Sequence, residues 1–161
     1  MNNLELLLGL TPTKHTHPPI HWAGGKSKLL SKLYPHFSGN RLIDVFMGST
    51  IVGLNSPQES IIINDLNKDL VSLFSTIKDN KDDLIEKTLE LFKETGKDNY
   101  IKYRKQFNES SDSFERAYLF LYLNRFGFNG LCRYSSKGNY NVSYSKKKKV
   151  NPPIKEIKET S

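Results

Sequence analysis

Two glycines in Trp22-Ala-Gly-Gly-Lys26, a third at Gly48 after the run Arg41-Leu-Ile-Asp-Val-Phe-Met47, and Asp65 after Ile61-Ile-Ile63 have a spacing that suits a nucleoside. Loop amides just beyond a strand can receive a polar or anionic ligand group. A carboxylate at the end of the next strand can accept hydrogen bonds from ribose hydroxyls. Gly24, Gly25, Gly48 and Asp65 stand where such a site needs them. Each also has a plainer reading, because Gly-Gly is a common turn and an Asp after a strand commonly caps the following helix.

A second set of groups lies in the string Asn124-Arg-Phe-Gly-Phe-Asn-Gly-Leu-Cys-Arg-Tyr134 and the residues after it. Arg125, Asn129, Arg133, Asn141 and Lys146 supply guanidinium, amide and ammonium groups of the kinds that read guanine and adenine edges or hold phosphates. Phe126, Phe128, Tyr134 and Tyr140 interleave with them. A ribbon of this composition fits a DNA major groove. The aromatics read equally well as core residues, and the run Lys146 to Lys149 as a solvated surface. The formal net charge of +7 favours a polyanionic partner, with nucleic acid ahead of a membrane.

The elements that must position these groups follow from periodicity. Residues 1–19 end in a Pro/Thr-rich connector and read as a loose extension. "HWAGGKSKLLSKLYPHF" places the Gly-Gly turn before an amphipathic helix with Leu29, Leu30 and Leu33 on one face. "RLIDVFMGS" and "SIIINDL" read as two buried strands, each ending in a polar or glycine-containing loop, which is half of a nucleotide-binding α/β pattern. After Asn67, four stretches carry apolar residues at helical spacing, from "KDLVSLFSTIKD" to "SFERAYLFLYLNRF". "LCRYSSKGNYNVSYS" then alternates around Lys137-Gly138-Asn139 as a β-hairpin does. His15, His17 and His21 lack an acidic or Cys companion set, so no metal site is expected. The single Cys132 reads as a packing residue. No apolar run approaches membrane-spanning length, and Glu5 interrupts the N-terminal apolar stretch, so a cytoplasmic protein is expected.

From about His21 to Lys149 the chain resembles the Dam-type (D12 class) adenine-specific DNA methyltransferases. "WAGGK", "DVFMGSTIVGLN", "INDLNKDLVSLF", "FLYLNRFGFNGLCRY" and "KGNYNV" carry the resemblance. The eleven-residue "NRFGFNGLCRY" has no generic structural reason to recur. The resemblance implies an α/β fold: an incomplete Rossmann-like sheet for S-adenosylmethionine over 20–67, an inserted, mainly helical target-recognition domain with a β-hairpin over 68–150, and a truncated tail over 151–161. It implies that Trp22, Lys26 and Asp65 contact S-adenosylmethionine, with Gly24, Gly25, Asp44 and Gly48 in the same loops. It implies also that Asn129, Leu131, Arg133 and Asn141 face a GATC-type duplex. Thr50 stands where the family usually has a second loop glycine, Val45 and Ser143 where it has prolines, and His21 where a basic residue is frequent.

Asp/Asn-Pro-Pro-aromatic is the catalytic tetrapeptide of enzymes that methylate exocyclic amino groups in DNA, and this chain has Asn151-Pro-Pro-Ile154. That tetrapeptide must sit at the mouth of a buried strand. Here four lysines and a lone Val150 precede it, so it reads as a decoy and no catalytic residue is expected. The expectation is therefore the N-terminal part of an adenine-N6 methyltransferase, inactive alone, with double-stranded DNA and a complementary C-terminal fragment as partners. A module that occupies target sites without modifying them is the alternative, and a basic RNA-associated domain a third reading. The strand around Ile43 to Phe46 would then lack a neighbour on one side.

Overall fold

Residues 15–146 and 150–161 are described by the computed structural model. The expected extension over residues 1–14 and the lysines Lys147 to Lys149 lie outside the described residues. After the Gly-Gly turn the chain does not form one helix. It makes a 3-10 turn (Ser27–Leu29), a single turn α1 (Leu30–Leu33) and a second 3-10 turn (Tyr34–His36). Lys26 provides no side-chain cap, and Pro35 withholds a backbone donor, so nothing sustains a longer helix. Leu30 and Tyr34 are buried against Ile51, whereas Leu29, expected on the same face, is exposed.

Strand β1 (Arg41–Asp44) pairs in parallel with β2 (Ser60–Ile63), in the register Arg41 opposite Ser60 through Asp44 opposite Ile63. The short helix α2 (Ile51–Leu54) lies in the crossover and lays Gly53 against Ile61 and Ile63. The sequence reads both strands as buried; the structure corrects this. Ile43 is 58% exposed and Ile61, Ile62 and Ile63 are all exposed, because the described residues supply only a two-stranded sheet. Continuous apolar strands are built for a sheet covered on both faces.

The helical half holds most of the core. Asn67 caps α3 (Lys68–Asp79) by accepting the Asp69 N–H, and Asp112 caps α6 (Ser113–Phe126) by accepting the Glu115 N–H. Between them lie α4 (Lys81–Leu91) and α5 (Lys97–Glu109). Helix α6 packs against α3, α4 and α5. Its residues Leu119 to Asn124 are buried in succession, which requires an element enclosed on every side rather than an amphipathic one. Tyr100, Phe107 and Leu70 fill the spaces around it.

Two expected flanking segments are tied to this core. Thr16 and Asn55 exchange two hydrogen bonds of 2.9 Å, Arg125 donates to the Pro19 carbonyl, and Ile20 is buried, so residues 15–20 are held, not loose. Residues 151–161, expected as a tail, contain α7 (Ile154–Thr160), whose Ile157 is fully buried in the main core. Met47, from the strand half, joins the same core, which crosses the expected boundary at residue 67.

The expected hairpin is present as antiparallel pairing without regular strands. Gly127 bridges Tyr144, Tyr134 bridges Tyr140, and Gly138 turns at φ +79. Side chains hold it from below. Tyr100 and Arg104 both donate to the Val142 carbonyl, and Asn108 bonds the Tyr140 N–H and carbonyl.

Candidate cofactor and nucleic-acid site

The strand ends gather several of the predicted residues. The parallel ladder continues past β1 and β2 through Asn64 N–H to the Asp44 carbonyl and Met47 N–H to the Asn64 carbonyl. Gly48 then turns at φ +49 and donates its N–H to Asp65 Oδ2 at 3.0 Å, while Asp65 Oδ1 accepts the Asn67 N–H at 2.9 Å. Asp65 therefore closes the loop and leads into the α3 cap at once. The Trp22 indole covers Gly48 so closely that a Cβ there would lie 2.7 Å from the indole nitrogen. Thr50, where the resembled family has glycine, is buried in the left-handed region at φ 57. A β-branched residue is strained there.

Asp44 ends β1 half-buried beside this loop. Burial raises its pKa above the usual carboxylate range, a hydrogen bond from the Phe46 backbone opposes the rise, and the neighbouring charge of Asp65 adds to it. Gly24 turns at φ +76, and Lys26, exposed, folds back onto the Gly24 carbonyl at 2.7 Å. Trp22 and Gly25 border a recess of about 320 Å³ shared with Ser27, Ser49, Arg125 and Glu156. Asp65 borders a different hollow, of about 660 Å³, over α3. Phe46 and Leu66, beside the strand ends, are 88% and 95% exposed.

The second site is an exposed turn on a rigid support. Asn129 adopts φ 52, a conformation Asn tolerates better than most residues, and is exposed with Phe128, Leu131 and Arg133. The Arg133 Nε donates to Asn141 Oδ1 at 2.7 Å and a terminal guanidinium nitrogen donates to the Asn141 carbonyl at 3.1 Å. Lys146 is exposed. Of the interleaved aromatics, Phe126 and Tyr140 belong to the core and Tyr134 is partly buried. Arg125, expected with the duplex-facing set, is instead turned inward. It bonds the Pro19 carbonyl at 2.9 Å, the His21 ring at 3.2 Å and Glu156 at 3.5 Å, and burial pulls its pKa down against the opposing effect of Glu156.

Two residues that position these groups escape a reading by motif. Asp69, buried at the start of α3, accepts a hydrogen bond of 2.8 Å from the Arg116 Nε, forms an ion pair with a terminal nitrogen of the same guanidinium at 2.8 Å, and accepts one of 2.5 Å from the Tyr134 hydroxyl. Asn124, fully buried in α6, bonds the backbone of both His21 and Gly130. The signal was available: an Asn within "FLYLNRF" has to find partners in a core. Asn151 and Pro152 lead from a loop into α7, with Pro153 at the helix start, so this Asn-Pro-Pro does not leave a strand. Cys132 is half-buried, accepts from Asn67 and has its thiol pKa raised by burial.

A small parallel sheet with glycine and carboxylate loops at its strand ends, joined to a helical bundle that presents a polar turn, defines a mixed, mostly helical α/β protein. The sequence pattern of the D12 class N6 adenine-specific DNA methyltransferase family matches residues 22–161, and the chain belongs to that family. It is 45% identical to the DNA adenine methylase of Haemophilus influenzae over 141 residues, covering 84% of this chain and 49% of that protein. It is 42% identical to the DNA adenine methylase of Escherichia coli K12, covering 86% and 51%. The chain thus spans about half the length of these curated relatives. The family implies a Rossmann-like fold. No helix among the described residues is long and apolar enough to cross a membrane.

Proposed function

We propose that this chain is the cofactor-holding and duplex-reading half of a site-specific DNA adenine-N6 methyltransferase, acting at a GATC-type site, and that the chemical step needs a catalytic segment supplied from elsewhere. The observation that carries the second clause is the placement of Asn151-Pro-Pro at the start of a helix. On this reading residues 20–67 are the first part of the cofactor sheet, and the helices with the hairpin are the target-recognition domain.

The residues at the strand ends fit S-adenosylmethionine, which supplies the electrophilic methyl group. Asp65 uses one lone pair of each oxygen on Gly48 and Asn67, and a carboxylate has roughly four acceptor sites, so capacity remains for ribose hydroxyls. Asp44 and Asp65 together favour a cationic ligand there. Trp22 offers an apolar wall above Gly48, and Lys26 stands at the lip of the Gly-Gly turn. Asn129, Leu131, Arg133 and Asn141 form the base-reading set, with Lys146 on a phosphate; Arg125 is not in it. Adenine must leave the stack to be methylated. Its exocyclic amine is a poor nucleophile because the lone pair is delocalised into the ring, so an acceptor for the amine hydrogens has to be aimed at it.

A module that occupies target sites without modifying them is favoured over this reading only if activity cannot be restored. Calorimetry on the chain is expected to give weak S-adenosylmethionine binding that Asp65→Ala abolishes. Tight binding indifferent to Asp65→Ala overturns the cofactor assignment. Methyl transfer to a GATC duplex on mixing with the C-terminal half of a family member supports the methyltransferase reading, and sequence-specific binding without such rescue supports the module.

A further inference from the structure

Asn124 is fully buried near the end of α6, and its side chain is shared between two distant segments. Its oxygen accepts the His21 N–H at 2.8 Å. Its nitrogen donates to the His21 carbonyl at 2.9 Å and to the Gly130 carbonyl at 2.9 Å. A carboxamide has two donors, so both are committed, one to each segment. His21 precedes Trp22 and Gly130 follows Asn129, which places the two candidate sites one residue away on either side of Asn124. Steric contact reinforces the hydrogen bonds. A Cβ on Gly130 would meet the His21 Cβ at 2.3 Å, and one on Gly48 would meet the Trp22 indole at 2.7 Å. The chain of contact is therefore continuous from the turn at 128–131 through His21 and Trp22 to Gly48 and Asp65.

We propose that Asn124 is a positioning residue that couples the exposed turn at 128–131 to the Trp22 wall of the strand-end site, so that displacing the turn displaces Trp22 through the His21 backbone. Close-packed, fully bonded interiors transmit small shifts instead of absorbing them, and hydrogen bonds in a dry interior hold their geometry. The functional meaning rests on the reading of the turn as duplex-facing and of Trp22 as cofactor-facing. The coupling itself is a property of this chain without ligands.

Trp22 is the only tryptophan, so its indole N–H resonance and its emission report on one place. Two displacements of the turn are applied: a GATC duplex, and Asn129→Val, which puts a β-branched residue at φ 52. Asn129→Val is expected to shift the Trp22 indole resonance in the otherwise unaltered chain and to shift it several-fold less when Asn124→Ala is also present, the direct Gly130–His21 contact carrying what remains. The duplex is expected to behave in the same way. A purely structural Asn124 would move the Trp22 resonance when substituted, but would not diminish its response to Asn129→Val. If Asn124→Ala does not fold, Asn124→Asp keeps the volume and the acceptor for the His21 N–H, removes the two donated bonds, and carries the same expectation. Equal Trp22 responses with and without Asn124, or no response to Asn129→Val in the unaltered chain, overturn the coupling. Fluorescence anisotropy on the same samples separates the premises: a failure to bind any duplex counts against the duplex-reading assignment, while the Asn129→Val arm still decides the coupling.

Discussion

Gly48 is constrained twice, by its positive φ and by the Trp22 indole above it, and the two effects can be measured apart. Gly39 also has a positive φ, +71, but open space where a Cβ would stand. Gly39→Ala is expected to cost about 1–2 kcal/mol, the strain of a left-handed L-residue. Gly48→Ala should cost more than that and also expose Trp22, since the added carbon must displace the indole. Urea titrations followed by Trp22 emission check both; equal costs with unchanged emission would mean that Trp22 does not seat on Gly48. Asp44 gives a pH prediction of definite sign. Its folded pKa lies above its unfolded value, so the stability it contributes is complete below about pH 3.9 and is lost as pH rises through the folded value. At neutral pH the ionised carboxylate is a cost. Asp44→Asn is expected to raise the urea midpoint at pH 7 and to flatten the pH dependence just above the ordinary carboxylate range. The sequence places the glycines and Asp65 at the ends of two apolar runs, and the structure brings Gly48 and Asp65 together there by a hydrogen bond, but a turn and a helix cap would look the same in sequence. It could not show that Arg125 turns inward to Pro19, His21 and Glu156, because an arginine between aromatics looks the same whether it points to a ligand or to a carboxylate in its own fold.

Helices α3 to α5 were legible because each carries an apolar period long enough to outvote its exceptions, α6 because its apolar run is too long for a strand and follows an Asp cap, and the hairpin because Gly138 supplies the turn. The stretch after the Gly-Gly turn was misread because a leucine spacing cannot show that caps are missing and that Pro35 interrupts. What holds the hairpin on the bundle is a pairwise arrangement that no local pattern encodes. Asp69, Arg116 and Tyr134 come from α3, α6 and the hairpin and meet largely shielded from water. Asp69→Ala strands the Arg116 charge and is expected to cost about 3 kcal/mol. Tyr134→Phe removes one hydrogen bond and is expected to cost about 1 kcal/mol. Both should speed amide exchange across 133–141, and an unchanged exchange rate would show that the aromatic packing of Tyr140 suffices. If the hairpin reads a duplex, its two kinds of cation should behave differently. Arg133→Ala should cost ~1–3 kcal/mol on the cognate site and relax specificity there. Lys146→Ala should weaken all duplexes alike and reduce the salt dependence. Equal losses on cognate and scrambled duplexes for Arg133→Ala, read by anisotropy, would remove direct readout.

At the scale of the molecule the two halves differ in how well they satisfy their own surfaces. The helical half buries a continuous apolar core and exposes only scattered apolar residues such as Val71, Leu89 and Ile101, whereas the sheet half leaves Ile43, Val45, Phe46, Ile61, Ile62 and Ile63 in contact with solvent. A groove of about 620 Å³ runs along that sheet between Ile61 to Ile63, Val71, Phe74 and the end of α7. Parallel sheets persist with both faces covered, and an apolar strand with an unpaired edge is a template for association. The chain alone is therefore expected to self-associate with rising concentration in analytical ultracentrifugation. Ile43→Lys, which charges the most exposed of the strand isoleucines, should reduce that association without altering the helical circular dichroism. On the proposed reading, added C-terminal half of a family methylase should compete with self-association, because it would cover the exposed strands, and should restore methylation of GATC duplexes. The opposite result is just as concrete. A stable monomer that methylates adenine unaided, and loses that activity on Asn151→Ala, would make Asn151-Pro-Pro catalytic despite its place at the head of α7 and would require α7 to leave the core on binding DNA.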